Sequence, residues 1–221
     1  MCYVFFGTPE FATVILKKLL DADLPPTAVI TNPDRPVGRK KIVTAPPVKK
    51  LITENSQLKT GVQILQPENP VTIRNTLIAL RPDVFIVAAY AKILPKEILA
   101  IPRLGAIGVH PSLLPRYRGA SPIQSAILAG ESETGVTLYL MDEKVDHGAI
   151  ISNVKIQISN KETTETLSKR LANSAGDLLI ETLQKFSEGM IHPIPQDESR
   201  ATFTKKFTGE DGFVPRELLI K

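Results

Sequence analysis

The first thirty-one residues constrain the fold most. An apolar run at 3–6 stops at Gly7 and is followed by Thr8, Pro9 and Glu10. Threonine is a good helix N-cap, proline suits the first helical position, and an acid suits the positive end of the helix dipole. Phe11, Val14, Ile15 and Leu19 then recur at helical spacing. Pro25-Pro26 closes that helix, and a short strand pattern at 27–31 runs into the turn signal Asn32-Pro33-Asp34. Strand, helix and strand in so short a span form a βαβ unit. Such a unit commits the chain to a parallel sheet with helices on its faces.

The alternation continues along the chain. Short strands are predicted at 62–65 and 106–109, and a run at 84–89 is apolar enough for a central strand. Helical patterns cover 71–80, a segment opened by Ser121 and Pro122 that reaches about residue 129, and the long stretch 163–186. Two longer strands are predicted at 135–141 and 149–158, around a loop. After Gly189 the chain is rich in proline and polar residues, with Ile191, Ile194 and Phe203 as the expected anchors. No repeat or linker interrupts this pattern. The expectation is one α/β domain over 1–212, Rossmann-like, with a mostly parallel sheet flanked by helices, and a C-terminal tail at 213–221.

Several function classes are disfavoured. No apolar run reaches membrane-spanning length, and the N-terminus lacks the basic and apolar segments of a signal peptide. The single cysteine, Cys2, excludes an internal disulfide and a cysteine-rich zinc site, so a cytoplasmic protein is expected; a monomer is expected as well. The three histidines, at 110, 147 and 192, show no metal-ligand spacing, and no metal is expected. Neither the glycine fingerprint of a dinucleotide site nor the lysine loop of a triphosphate site follows the first strand. The function therefore has to come from other residues at the sheet.

In open α/β sheets, ligands bind beyond the carboxyl ends of the strands. His110 ends the run at 106–109 and precedes Pro111-Ser112-Leu113-Leu114-Pro115, which cannot continue a central strand. By residue type alone it is a capping or packing histidine as readily as a functional one. Asp146, between two predicted strands, is by the same standard a turn aspartate; paired with His110 it would orient the imidazole and stabilise its charged form. The net charge is +4, but its distribution says more. Arg35, Arg39, Lys40, Lys41, Lys49 and Lys50 crowd sixteen residues, a run that is by default a solvated surface.

Longer motifs add a resemblance. Phe5-Phe6-Gly7-Thr8-Pro9-Glu10-Phe11-Ala12, the segment 31–39, Pro46-Pro47-Val48-Lys49 and Leu65-Gln66-Pro67-Glu68 resemble methionyl-tRNA formyltransferases. The segment 110–124 resembles the signature of folate-dependent formyltransferases as a class, as do Gly135-Val136-Thr137, Met141-Asp142 and Val145-Asp146-His147-Gly148. Pro195-Gln196-Asp197, Thr204-Lys205-Lys206 and Glu210-Asp211-Gly212 extend the likeness nearly to the C-terminus.

The resemblance implies formyl transfer from 10-formyltetrahydrofolate to the amine of initiator methionyl-tRNA. It assigns catalysis to His110 and Asp146, and it puts Gly108 where the family has an asparagine. The asparagine amide would donate to a developing oxyanion, so an asparagine restored at 108 is expected to raise the rate. Ser112, Leu113, Leu114 and Pro115 would border the folate, and Ile93, Leu94, Met141 and Asp142 would line its pterin pocket. By type alone these segments are ordinary core-covering loops. Arg39, Lys40 and Lys41 would meet tRNA phosphates. The family's C-terminal barrel domain is expected to be absent, with only the tail at 213–221 in its place. The alternatives are an amino sugar nucleotide formyltransferase, which would share His110 and Asp146, and a non-catalytic folate or tRNA binder motivated by Gly108.

Overall fold

The computed structural model describes residues 1–54, 61–208 and 211. The tail expected at 213–221 lies outside the described residues. In chain order the elements are β1 (Tyr3–Gly7), α1 (Glu10–Asp21), β2 (Ala28–Ile30), β3 (Arg35–Val37), β4 (Ile42–Thr44), α2 (Pro47–Glu54) and β5 (Gln63–Leu65). There follow α3 (Arg74–Ala79), β6 (Val84–Ala88), α4 (Lys96–Leu99), β7 (Ala106–His110), β8 (Arg118–Gly119) and α5 (Pro122–Leu128). The chain continues with β9 (Glu133–Leu140), β10 (Ile150–Gln157), α6 (Thr164–Ser187) and β11 (Phe203–Thr204).

A seven-stranded sheet carries the fold, in the order β10-β9-β7-β6-β1-β2-β5. The five strands from β7 to β5 are parallel, as the opening βαβ unit requires. β9 runs antiparallel to β7, and β10 antiparallel to β9. Strand alternation divides the core. Phe5, Val29, Ile86, Ile107, Val109 and Leu138 face one side, where α1, α2, α5 and α6 pack. Val4, Phe6, Ile30, Phe85 and Ala106 face the other, under α3 and α4. The second face is the one that positions the site. Beyond Ala106 its next positions are Gly108 and His110, and among the described residues loops rather than helices lie over them.

Four local expectations are corrected. Pro9, not Thr8, is the N-cap of α1, because the Thr8 hydroxyl accepts the Asn32 N–H at 3.3 Å. The pattern at 71–80 divides into a 3-10 turn at Pro70–Ile73, capped by Asn69, and the shorter α3. The basic loop is the tip of a hairpin, with β3 and β4 antiparallel and Gly38 and Lys41 at positive φ. Finally, Ile194 and Phe203 do not anchor the C-terminal segment: they are 69% and 72% exposed. A polar network on Arg118 anchors it instead, together with the parallel pairing of β11 on β8.

Candidate active site

His110 is the last residue of β7 and is buried. Its Nε2 lies 2.8 Å from the carbonyl oxygen of Tyr117, which can only accept, so Nε2 carries a proton. Its Nδ1 lies 3.5 Å from Oδ2 of Asp146. Both ring nitrogens thus face oxygen acceptors, Nε2 in a hydrogen bond and Nδ1 in a longer ion-pair contact.

Asp146 arrives from the loop between β9 and β10. That loop leaves the sheet at the N-terminal end of β7, where the Met141 N–H donates to the Ala106 carbonyl at 2.8 Å, and folds back across the open face. Its return is tight: a Cβ on Gly148 would lie 1.6 Å from the Leu140 carbonyl oxygen, so only glycine fits. Asp146 itself holds φ +48°, a left-handed conformation costing on the order of 1–2 kcal/mol for a residue with a side chain. Hydrogen bonds offset that cost. Oδ2 accepts the Gly119 N–H and Oδ1 accepts the Tyr139 hydroxyl, both at 2.7 Å.

Behind the loop stands Arg118, 1% exposed. Its guanidinium donates to Oε1 of Gln196 at 3.1 and 2.7 Å and to the Glu198 carboxylate at 2.9 and 2.6 Å. Gln196 in turn donates its Nε2 to the carbonyls of Asp146 and Gly148, at 2.9 and 2.8 Å. The segment at 196–204 therefore straps the Asp146 loop to β8.

Gly108 faces Tyr139 across the β7–β9 register. A Cβ on Gly108 would lie 2.4 Å from Cε1 and Cζ of Tyr139 and 2.8 Å from its hydroxyl. The volume expected to receive an asparagine amide is filled by the Tyr139 phenol. Burial, and then the Asp146 charge, push the Tyr139 phenol pKa well above its usual range, which keeps it a donor.

The structure gathers the expected folate segments on the same face. The Thr137 hydroxyl, opposite His110 in the register, donates to the Ser112 carbonyl at 2.7 Å and accepts the Leu114 N–H at 3.1 Å. Ser112 is fully buried and donates its hydroxyl to the Arg116 carbonyl. Leu113 leans over Gly135, and the Pro115 carbonyl accepts the Thr202 N–H. Leu94 and Met141 share one apolar cluster with Tyr90, whose buried hydroxyl has no partner. A buried hydroxyl left without a partner among apolar side chains suits a ring with a polar edge. Two expected residues sit apart: Ile93 is 88% exposed, and exposed Asp142 pairs with Nδ1 of His147 at 2.5 Å.

Arg39, Lys40 and Lys41 stand on the hairpin that follows β2, three strands from β7. Lys49 is neutralised by Asp34 at 2.8 Å and Arg35 by Glu68 at 2.6 Å, whereas among the described residues the three tip cations have no ion pair. Beside the hairpin a cleft of about 360 Å³ is lined by Thr8, Asn32, Arg35, Val37, Pro46 and Lys50. The Asn32 Oδ1 is buried there without a partner.

Sequence reasoning missed Tyr139, Arg118 and Gln196 as site residues. Arg118 and Gln196 lie inside motifs quoted above, but only the fold joins them. The partner of Gly108 emerges only from the strand register.

A family model described as "Formyl transferase" matches residues 1–183. The methionyl-tRNA formyltransferase of Roseiflexus sp. (strain RS-1) is 45% identical over 215 residues, 96% of this chain and 64% of the relative. That of Enterococcus faecalis is 45% identical over 209 residues, 94% of this chain and 65% of the relative. The chain thus spans just under two thirds of the length of these two proteins. A crystal structure of phosphoribosylglycinamide formyltransferase from Bacillus halodurans shares the fold, with a TM-score of 0.67 and 24% identity over 84% of this chain and 94% of that one. Among the described residues no helix is long and apolar enough to cross a membrane.

Proposed function

Since the chain belongs to the formyl transferase family, we propose that it transfers a formyl group from 10-formyltetrahydrofolate to the α-amino group of initiator methionyl-tRNA. The observation that carries this reading is the His110–Asp146 pair, 3.5 Å apart on the open sheet face. The 45% identity to proteins named for that reaction supports the choice of amine.

The folate carrier would supply the formyl carbon, bordered by Ser112, Leu113, Leu114 and Pro115, with Leu94 and Met141 toward its pterin ring. His110 does the proton work. Nδ1 lies in an ion-pair contact with Asp146 at 3.5 Å, and Nε2, on the Tyr117 carbonyl at 2.8 Å, is the nitrogen assigned to the substrate, exchanging that carbonyl for the reacting group. As the amine nitrogen bonds to the formyl carbon, that carbon's bond to the folate nitrogen breaks and the proton lost by the amine passes to the folate nitrogen; the protonated ring, its positive charge held by Asp146, donates to the oxygen charge that develops in between. Residue 108 contributes no side-chain donor, which leaves His110 as the donor on this face. Arg39, Lys40 and Lys41 give the tRNA backbone a cationic rim on the β2 side. Such a substrate belongs to the cytoplasm, and the reading is of a monomer.

The test is a formylation assay with methionyl-tRNA and labelled 10-formyltetrahydrofolate. The chain is expected to form formyl-methionyl-tRNA, and His110→Gln to slow it by roughly 10²- to 10⁴-fold, the range for a lost acid–base group. An amino sugar nucleotide formylated while methionyl-tRNA is untouched would overturn the choice of amine. Full activity in His110→Gln would overturn the site.

A further inference from the structure

We infer that Tyr139 is a positioning residue for the His110–Asp146 pair, and that Gly108 and Tyr139 are two halves of one device: the glycine vacates a volume that the phenol fills, and the phenol hydroxyl aims the Asp146 carboxylate at His110. The inference rests on the proposed reaction for its kinetic readout only.

The steric half is direct. Gly108 and Tyr139 are opposite one another on antiparallel strands, on the face that carries His110 two residues further on. Any Cβ at 108 would sit 2.4 Å from two ring carbons of Tyr139, closer than non-bonded carbons approach. The ring cannot retreat freely, because Tyr139 is only 4% exposed. The two positions therefore share one side chain's worth of space, and here the tyrosine has it.

The polar half follows from donor and acceptor identity. A carboxylate only accepts, so the 2.7 Å contact is the phenol donating to Oδ1. Oδ2 is held separately by the Gly119 N–H at 2.7 Å. With each oxygen fixed from a different element, the carboxylate has one orientation, and in it Oδ2 faces the imidazole. The phenol has a single proton and Asp146 takes it, so Tyr139 neither donates to substrate nor replaces an oxyanion donor. It acts through Asp146 on His110.

Tyr139→Phe keeps the ring and removes only the hydroxyl. We expect kcat to fall about tenfold or more, as for a lost hydrogen bond to a charged group, with KM for 10-formyltetrahydrofolate within about twofold. In the chain without substrate, the ¹⁵N shifts of the His110 imidazole, which report which nitrogen carries the proton, should change. A purely structural tyrosine would lower the melting temperature and leave both kcat and the His110 shifts alone. Gly108→Asn should lose activity and stability by collision with the phenol, and the double change Gly108→Asn, Tyr139→Ala should regain part of the stability. An unchanged kcat with unchanged His110 shifts in Tyr139→Phe overturns the polar half, and a Gly108→Asn chain as stable as the parent overturns the steric half. If the parent chain formylates no methionyl-tRNA, the proposed reaction fails, and the substrate-free His110 shifts and the stability cycle still decide the inference.

Discussion

Replacing Arg118 with methionine tests whether the C-terminal strap builds the site. Methionine keeps most of the aliphatic volume and removes the guanidinium, whose side chain is 2% exposed. Removing one partner of a fully buried pair costs about 3–5 kcal/mol. Here the cost divides unequally. The Glu198 side chain is 56% exposed and can turn to water, so its bonds contribute little. Gln196 cannot turn, because its Nε2 stays on the carbonyls of Asp146 and Gly148. Its Oε1 is left unpaired in a half-buried position, which costs about 1–3 kcal/mol. The expected loss is therefore about 2 kcal/mol. In urea this lowers the midpoint by roughly 1 M, at a slope of about 2 kcal/mol per M. The Asp146 loop loses its backing at the same time, so the formyl-transfer rate should fall more than stability alone explains. A midpoint within about 0.2 M of the parent, with an unchanged rate, would refute the reasoning.

Two further predictions concern charge. Alanine at Arg39, Lys40 and Lys41 together should weaken tRNA binding and flatten its dependence on log salt by about 2–3 in slope, with folate binding unchanged, as measured by titration at several salt concentrations. An unaltered slope would remove the hairpin from the tRNA surface. All four tyrosines have phenols held above their usual range, Tyr3, Tyr90, Tyr117 and Tyr139, with burial the first cause in each and Tyr90 at about 12. The unfolded chain ionises near pH 10, so above that pH the folded state binds more protons than the unfolded one, and stability falls as pH rises. Phenolate absorbance should accordingly stay low at pH 10 and rise together with unfolding; ordinary titration near pH 10 in a folded chain would contradict the burial argument.

The framework was legible because it rests on local signals. Apolar runs such as 84–89 and helical spacing at Phe11, Val14, Ile15 and Leu19 survive in the folded chain as β6 and α1. The helix at Pro47–Glu54 was not seen, because Pro46-Pro47 reads as a breaker although proline is well placed at a first helical position. Ile194 and Phe203 were misjudged as anchors because the real anchor is polar and depends on Arg118, some 78 residues away from Gln196. Within the site, His110 and Asp146 were visible as candidates and their contact was not. Gly108 was visible as a departure from the family pattern, but its meaning lay in strand register, which brings Tyr139 opposite it and which spacing along the chain does not encode.

The strap also sets an order of events during synthesis. Arg118 leaves the ribosome 78 residues before Gln196 and 80 before Glu198. At about 5–20 residues per second, that interval lasts roughly 4–16 s. Through those seconds the parallel sheet can already assemble, while the loop that carries Asp146 has no backing and the guanidinium waits for its acceptors. The sheet can therefore form before the segment at 196–204, whose anchorage is polar, arrives to back the loop that carries Asp146.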